Sequence, residues 1–349
     1  MRLEPLEINK YTVASLFAGI GGFCRAFRRE GFKVLWANEI DPHACRTYSF
    51  NYPEVKLYDK SVEELTVIAD NLEPVDILTA GFPCQSFSLA GNKLGFNDPR
   101  GKLFFEIIRL LNEFGLERPK IVLLENVKNL LSHDNGQTIE KIVEELRSAG
   151  YSFRIESGTK VLNTNKHTEI PQNRERLYMV AFRNDIFKKS PSFLFPEEVG
   201  EQERQDIRNY FDLDKQADEE LYFDPNSKYG QLFTQEMEKA KSEGRFNSVY
   251  LLRRAYVREN KNQCSFTLTA NMGGGGHNVP VIEDRWGIRK LTPRECLRLQ
   301  GFDEDFNFPE DMGKSQQYKQ IGNAVTVSLV QKLAAECKRQ LDSIGGVKE

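Results

Sequence analysis

Cys84 is the residue of this chain best placed to do chemistry. It stands in Gly81-Phe82-Pro83-Cys84-Gln85-Ser86-Phe87-Ser88, where the strand-like run Asp76-Ile77-Leu78-Thr79-Ala80 breaks into a loop. Pro83 fixes its own φ and gives up a backbone donor, and small hydroxyl residues follow, so the segment reads as a shaped loop edge that presents a thiol. A structural core cysteine is the competing reading, because free cysteines are among the most buried residue types. A single cysteine becomes a candidate nucleophile only when partners appear elsewhere in the sequence.

Partners do appear. Glu125-Asn126-Val127 closes the apolar run Ile121-Val122-Leu123-Leu124, which puts a carboxylate and an amide at a strand's carboxyl end. In open α/β sheets, ligands bind just outside those ends. A third apolar run, Leu177 to Phe182, is entered through Gln172-Asn173-Arg174-Glu175-Arg176. Two guanidinium groups two residues apart share one face of an extended segment, a suitable arrangement for an anion or a heteroatom-rich ring.

With these pieces the chain resembles the DNA (cytosine-5)-methyltransferases, of the prokaryotic restriction-modification type. Ser15-Leu16-Phe17-Ala18-Gly19-Ile20-Gly21-Gly22-Phe23 resembles the family's cofactor loop, Pro83-Cys84-Gln85 its nucleophile motif, Glu125-Asn126-Val127 its base-binding motif, and Gln172/Arg174/Arg176 its arginine motif. Arg289-Lys290-Leu291-Thr292-Pro293-Arg294-Glu295-Cys296 and Gln320-Ile321-Gly322-Asn323-Ala324-Val325 resemble two carboxyl-terminal blocks. All six occur in the family's order.

The resemblance implies S-adenosylmethionine as cofactor and double-stranded DNA as substrate. The loop Phe17, Ala18, Gly19, Ile20, Gly21 and Gly22 would hold the cofactor, with Glu39 on the ribose hydroxyls, Ile40 beside it and Asp59 on the adenine amino group. Pro83, Leu103, Asn323 and Val325 would complete the lining. A dinucleotide fingerprint competes for the glycine loop, but its third glycine would fall where the chain has Cys24. Glu39, about 20 residues on, suits either cofactor. Two positions depart from the family's habit, Ile40 where an aromatic residue is common and Lys60 where an apolar one is.

The implied reaction is covalent. Cys84 thiolate adds to cytosine C6, C5 takes the methyl group, and loss of the C5 proton expels Cys84. A protonated Glu125 would hydrogen-bond N3, which asks for a pKa raised by burial. Arg174 would hold the base's O2, and Arg176 would position Glu125 or the phosphate. The target base must be flipped out of the duplex, and in the family the nucleophile loop closes over the DNA. Here that is Gln85 to Arg100, with Gln85, Ser86, Ser88 and Arg100 as contacts, and Gln172 is expected on the DNA side as well.

Composition sets bounds on this reading. The chain has 349 residues, enough for one large α/β domain and a smaller one, and a net charge of −3. The charge is uneven: Glu197 to Lys239 holds 13 acidic and 5 basic side chains, whereas Lys241 to Arg298 holds 11 basic and 5 acidic. The second stretch is the candidate for phosphate contact. In it stand Arg253, Arg254 and Arg258, and then Thr269, Asn271, Gly274, Gly275 and His277 within a glycine-rich run whose backbone could approach a groove closely. Six cysteines without a CxxC pair and four unclustered histidines indicate neither a zinc site nor a disulfide framework. No apolar run approaches the roughly 20 residues that span a bilayer, so no membrane is expected and a cytoplasmic, nucleoid-associated protein of prokaryotic or phage origin is.

The first 180 residues alternate apolar runs with amphipathic stretches, the βαβ signature of a largely parallel sheet with helices on both faces. Strands are expected at Val13 to Ala18, Val34 to Ala37, Asp76 to Ala80, Ile121 to Leu124, Phe153 to Ser157 and Leu177 to Phe182. Ser61-Val62-Glu63-Glu64 reads as a capping box opening a helix toward Leu72. Ile139, Ile142, Val143 and Leu146 recur at helical spacing before Gly150, Thr292-Pro293-Arg294-Glu295 opens another helix, and Ala324 to Leu341 reads as the last. From Lys188 to Arg245 the sequence is charged and irregular. The expected organisation is a Rossmann-like methyltransferase domain over 1-182, completed by about 318-349, a smaller irregular target-recognition domain over 183-290, and a connecting hinge over 291-317.

Two related activities stay open at this level. A transfer-RNA cytosine methyltransferase of the same fold shares Cys84, Glu125 and the arginines, though that group typically carries Cys-Phe-Thr where this chain has Cys264-Ser265-Phe266-Thr267. A catalytically silent DNA-binding relative would have no need of Cys84, Glu125, Arg174 and Arg176 together. A monomer, paired with a restriction endonuclease or acting alone, is the expected assembly.

Overall fold

The computed structural model describes residues 11–83, 102–187, 191–253, 255–274 and 278–345. In chain order the elements are β1 (Thr12–Leu16), α1 (Gly22–Arg29), β2 (Lys33–Asn38), α2 (Pro42–Asn51), β3 (Lys56–Tyr58), β4 (Ile77–Gly81), α3 (Lys102–Glu113), β5 (Ile121–Val127), α4 (Gln137–Ser148), β6 (Tyr151–Ser152), α5 (Ile155–Gly158), β7 (Thr159–Asn163), α6 (Thr164–His167), β8 (Glu175–Arg183), α7 (Lys228–Ser242), β9 (Val249–Arg253), β10 (Tyr256–Asn260), β11 (Val281–Asp284), β12 (Gly287–Lys290), α8 (Pro293–Leu299), α9 (Lys314–Asn323) and α10 (Val327–Gly345). The backbone divides into two compact units. One comprises Met1–Leu162, Glu175–Pro196 and Val330–Glu349, the other Asn163–Arg174 and Glu197–Leu329.

The first unit is built on a sheet of order β3-β2-β1-β4-β5-β8-β6, with β7 added against β8. Strands β3, β2, β1, β4 and β5 are mutually parallel, while β8 runs antiparallel to both β5 and β6. Ala14, Leu16, Leu78, Ala80, Val122 and Leu124 join one apolar cluster with Phe104 and Leu111 of α3 and with Ile142 and Leu146 of α4. The residues of opposite parity, Val13, Ile77 and Leu123, are buried too, so both faces of the sheet are covered. That explains why these strands read as continuous apolar runs rather than alternating ones. The chain leaves β1 toward β2 on one side and takes up β4 on the other, which makes the ends of β1 and β4 a topological switch point.

Two expected elements are replaced. Residues 61 to 72 form turns, not a helix. Arg109 of α3 donates to Val62 O at 3.0 Å and to Leu65 O at 2.8 Å, so carbonyls that a helix would use internally are already taken. Ser61 accepts from Glu63 N rather than from Glu64, and the capping box does not close. Residues 153 to 157 are not a strand either. The single turn α5 follows the short β6, and at its end Gly158 lies so close to the Phe153 ring and to Val180 O that a Cβ there would stand 2.9 and 3.0 Å from them.

The second unit contains a four-stranded antiparallel sheet of order β10-β9-β11-β12. Phe233, Met237 and Ala240 of α7 pack against Tyr250, Leu252, Val257 and Val281. This helix lies in the stretch that reads as irregular. Its signals are the Ser227 cap, which accepts from Gly230 N at 3.0 Å, and an apolar spacing of four and three that the surrounding charges obscure. The capping box of α8 forms as its sequence predicts, with Thr292 and Glu295 bonding reciprocally.

Candidate active site

The loop after β1 is held in place from its far side by α2 and by the residues that lead into it. Phe17 has φ +53, an uncommon conformation for a non-glycine residue that marks stored strain. Ala18 N donates to Asn38 O, and Gly21 N returns to Ala18 O, both at 2.9 Å. Glu39 binds the loop directly: Gly19 N donates to Oε2 at 2.7 Å, and Ile40 N and Asp41 N donate to Oε1 at 2.8 Å each. At the other end of α2, the Tyr52 hydroxyl donates to Gly21 O at 3.0 Å. Gly21 has φ +87, and a Cβ on it would overlap the Tyr52 ring, so only glycine fits there. Tyr48, one turn earlier, packs against Tyr52 with the rings tilted by 38° and 4.7 Å between centroids, and donates to Cys24 Sγ at 3.1 Å. Neither tyrosine is marked by the sequence motifs, although their i, i+4 spacing on α2 is visible once the helix is known.

Three neighbouring strands bring the next group together. Gly81, the last residue of β4, pairs with Glu125 of β5, and Glu125 pairs in turn with Tyr178 of β8. The proline loop therefore leaves the sheet beside the Glu125 carboxylate. Asn126 fixes that departure, since its Nδ2 donates to Phe82 O at 3.0 Å while its Oδ1 accepts from Val127 N at 2.9 Å. Glu125 is 9% exposed, and its Oε1 lies 3.1 Å from Arg176 Nε. The ion pair joins the carboxyl end of β5 to the amino end of the antiparallel β8, beside Gly81 at the end of β4.

The second unit holds the other arginine. Arg174 is 3% exposed, and its fork is spent on main-chain carbonyls, Nη1 on Leu268 O at 2.6 Å and Nη2 on Ala324 O at 2.7 Å and Gly322 O at 3.3 Å. Gln172 is fully buried; its Nε2 donates to Leu299 O and Gln300 Oε1, and its Oε1 accepts from Leu268 N. Glycine makes the contact beneath Arg174 possible: a Cβ on Gly322 would overlap the Thr269 backbone, and one on Gly273 would stand 2.5 Å from Ser315 O of α9. The glycine-rich run is thus used, up to Gly273, for approach to α9.

Of the remaining expected contacts, Ala18, Ile20, Gly21, Gly22 and Val325 are buried, Phe17, Gly19, Glu39, Leu103 and Thr269 are partly exposed, and Ile40, Asp59, Pro83, Arg253, Asn271, Gly274 and Asn323 are exposed. Cys84, Gln85, Ser86, Ser88, Arg100, Arg254, Gly275 and His277 lie outside the described residues. No group of three or more potential metal ligands occurs among the described residues, and no described helix is long and apolar enough to cross a membrane.

Residues 11–339 match the family of C-5 cytosine-specific DNA methylases. The chain belongs to that family. It is therefore a DNA cytosine-5 methyltransferase, an enzyme that needs a methyl donor and takes DNA as substrate. Among curated relatives of this methyltransferase, the type II methyltransferase M.Bsp6I of Bacillus sp. (strain RFL6) is 42% identical over 92% of this chain and 96% of its own. The type II methyltransferase M.HhaI of Haemophilus parahaemolyticus is 34% identical over 96% of each chain. Among solved structures, S. pombe Dnmt2 methyltransferase superposes with a TM-score of 0.70 at 21% identity, over 95% of this chain and all of its own, a likeness of fold.

Proposed function

We propose that this methyltransferase uses Cys84, Glu125 and Arg176 to methylate C5 of a flipped-out cytosine at one short duplex sequence, with S-adenosylmethionine as the donor. The observation that carries the reading is the register that seats Gly81 beside Glu125, which starts the Cys84 loop next to a carboxylate paired with Arg176. The residues around the β1 loop suit the donor: Gly19 has φ +56 with open space where a Cβ would stand, and Glu39 and the exposed Asp59 offer acceptors for ribose hydroxyls and an adenine amine. Three main-chain amides already occupy Glu39, leaving room for about one more acceptor bond. Bound there, S-adenosylmethionine supplies an electrophilic sulfonium methyl. Gly19, Gly21, Gly22, Ile20, Phe17, Ala18, Ile40, Leu103 and Pro83 of the first unit are assigned to the same site.

The Cys84 thiolate adds to C6, and the electron pair displaced onto C5 makes that carbon nucleophilic. Glu125, protonated when the base is bound, donates to N3 where negative charge develops, and Arg176 holds the Glu125 carboxyl in place. Once C5 carries the methyl group, its proton leaves to water, the C5–C6 double bond reforms and the C6–S electrons return to Cys84. Arg174 reaches the base's O2 only by sharing a fork that already serves three carbonyls, so we assign it first to bracing Leu268, Gly322 and Ala324. Gln172 is likewise assigned to the packing that carries Thr269 and Asn271. The second unit is assigned to reading DNA. We assign the protein to the cytoplasm as a monomer, paired with a restriction endonuclease or acting alone.

The test is base-resolution cytosine methylation mapping in a methylation-free host expressing this chain or its Cys84→Ser variant. Methyl groups on C5 at one recurring motif, absent with the variant, are the expected result. Full methylation by Cys84→Ser would sink the covalent scheme.

A further inference from the structure

Asn38 closes β2 as a buried residue and bonds to the segments assigned to the donor on both of its sides. Its main-chain oxygen accepts from Ala18 N of the β1 loop at 2.9 Å. On the other side it pairs with Tyr58 at the end of β3. Its Nδ2 donates to Tyr58 O at 2.9 Å and to Lys60 O at 2.8 Å. One amide nitrogen thereby spends both of its protons on a bend with the exposed Asp59 at its centre. The side chains flanking Asp59 turn away from it. Lys56 Nζ and the Tyr58 hydroxyl donate to Asp70 O at 3.3 and 3.0 Å, and Lys60 Nζ donates to Asp70 Oδ1 at 2.5 Å. Residues two apart on an extended segment share a face, so 56, 58 and 60 face Asp70 and Asp59 faces the other way. Lys60, the residue that departs from the family's habit, is thus held by a different carboxylate. Burial, and then the charges of Glu39, Asp59 and Asp41, push the Cys45 thiol up to about 12, so the two carboxylates assigned to the donor act on one point of α2.

We infer that Asn38 is a positioning residue for donor specificity: by holding the Tyr58 and Lys60 carbonyls it fixes Asp59 where a 6-amino purine can donate to it and a 6-oxo purine cannot. This rests on the reading of Glu39 and Asp59 as the donor's ribose and adenine acceptors, and it adds the residue that ties the two together. The physical need is for a carboxylate that does not move. Hypoxanthine carries an oxygen in place of the adenine amine and a proton on the neighbouring ring nitrogen. A loose Asp59 could turn from the one position to the other and accept from either base. A fixed one meets the 6-oxygen with its own lone pairs, and the wrong base is rejected by an unmade bond and a like-charged contact. Tyr58 O keeps a second donor in Glu39 N at 3.2 Å, so loss of the Asn38 amide frees chiefly the Lys60 side of the bend and leaves Glu39 anchored to β3.

The experiment measures, by calorimetry on the full chain, the affinities of S-adenosylhomocysteine and S-inosylhomocysteine for the parent, Asn38→Ser, Asp59→Ala and the double variant, with a melting curve for each. The parent should prefer the adenosyl compound by roughly 5- to 150-fold. Asn38→Ser should bring that preference to within about threefold of unity, and should change it no further once Asp59 is alanine, because the two residues act as one unit. A residue that only held the fold together would weaken both compounds alike and leave their ratio where it was. An unchanged ratio in a folded Asn38→Ser would overturn the inference, as would an effect of Asn38→Ser that is the same with and without Asp59. Should Asn38→Ser not fold, 15N-asparagine labelling of the parent reads the same contact: the Asn38 side-chain amide signals should move with S-adenosylhomocysteine and much less with S-inosylhomocysteine, and an equal response to both would overturn it. If Asp59→Ala keeps the parent's ratio, or the parent binds neither compound, the fault lies with the donor reading itself, and the role of Asn38 falls with it.

Discussion

Replacing Arg174 by lysine separates a brace from a base contact. The guanidinium joins Leu268 O, Gly322 O and Ala324 O through two different nitrogens. A lysine ammonium has one nitrogen, so it can keep one short bond and must release the other. Hydrogen bonds involving a charged group contribute about 1.5–3 kcal/mol each. The released carbonyl is not always stranded, because Ala324 O also accepts from Gln300 Nε2 at 3.2 Å, whereas Leu268 O has no such second donor among the hydrogen bonds of the described residues. With the weaker Gly322 contact included, the expected loss is about 2–4 kcal/mol. For a unit of this size that is roughly 5–15 °C in melting temperature. Thermal unfolding should be read beside hydrogen exchange over residues 265–274 and 320–326, where protection should fall. A variant that melts within about 2 °C of the parent, with unchanged exchange and only turnover lost, would refute the brace and return Arg174 to the base's O2.

Arg176→Lys should behave in the opposite way. Lysine keeps the positive charge beside the largely buried Glu125 carboxylate, and among the described residues Arg176 has no other ion pair to lose, so stability should change less than in Arg174→Lys, while kcat falls by about 100-fold and the donor's KM stays put; an unaffected kcat would remove Arg176 from the site. The cysteines give a second, independent check on Cys84. Burial, against an opposing Tyr48 hydrogen bond, pushes the Cys24 thiol up to about 11, and burial with the Glu39 charge pushes Cys45 up to about 12. Burial also raises Cys264, Cys296 and Cys337. At pH 8 about one Cys24 in 1,000 is thiolate, against roughly a quarter of an ordinary cysteine. Brief alkylation of the native enzyme at that pH should therefore mark Cys84 alone and abolish turnover, as peptide mapping will show; rapid labelling of Cys24 or Cys45 would contradict the burial argument.

The sheet was legible because burial on both faces writes itself into the sequence as unbroken apolar runs, and the end of each run marks where a ligand-facing residue can stand. Glu125 and the proline loop stand out as candidates in that way. The helix expected from Ser61 was not there, because propensity and a capping pattern could not register that Arg109, some 45 residues later, takes the Val62 and Leu65 carbonyls. Helix α7 was missed for the converse reason. Its apolar stripe of Phe233, Met237 and Ala240 is narrow, and the charges around it dominate any window of that length.

Arg174 shows the limit most sharply. Its spacing from Arg176 suggested two equivalent forks on one strand face, but β8 begins at Glu175, and the two side chains serve different partners. Arg176 meets a carboxylate, whereas the Arg174 fork bonds main-chain carbonyls. Main-chain carbonyls leave no trace in a sequence, so a guanidinium that binds them reads the same as one that awaits a substrate. What the sequence does record is the consequence at Gly322 and Gly273, where close backbone approach excludes a side chain. Those glycines, Arg174 and Gln172 come from segments about 150 residues apart and act as one assembly. The two carboxyl-terminal motifs and the arginine motif are therefore best understood together, as the frame on which Thr269 and Asn271 are carried.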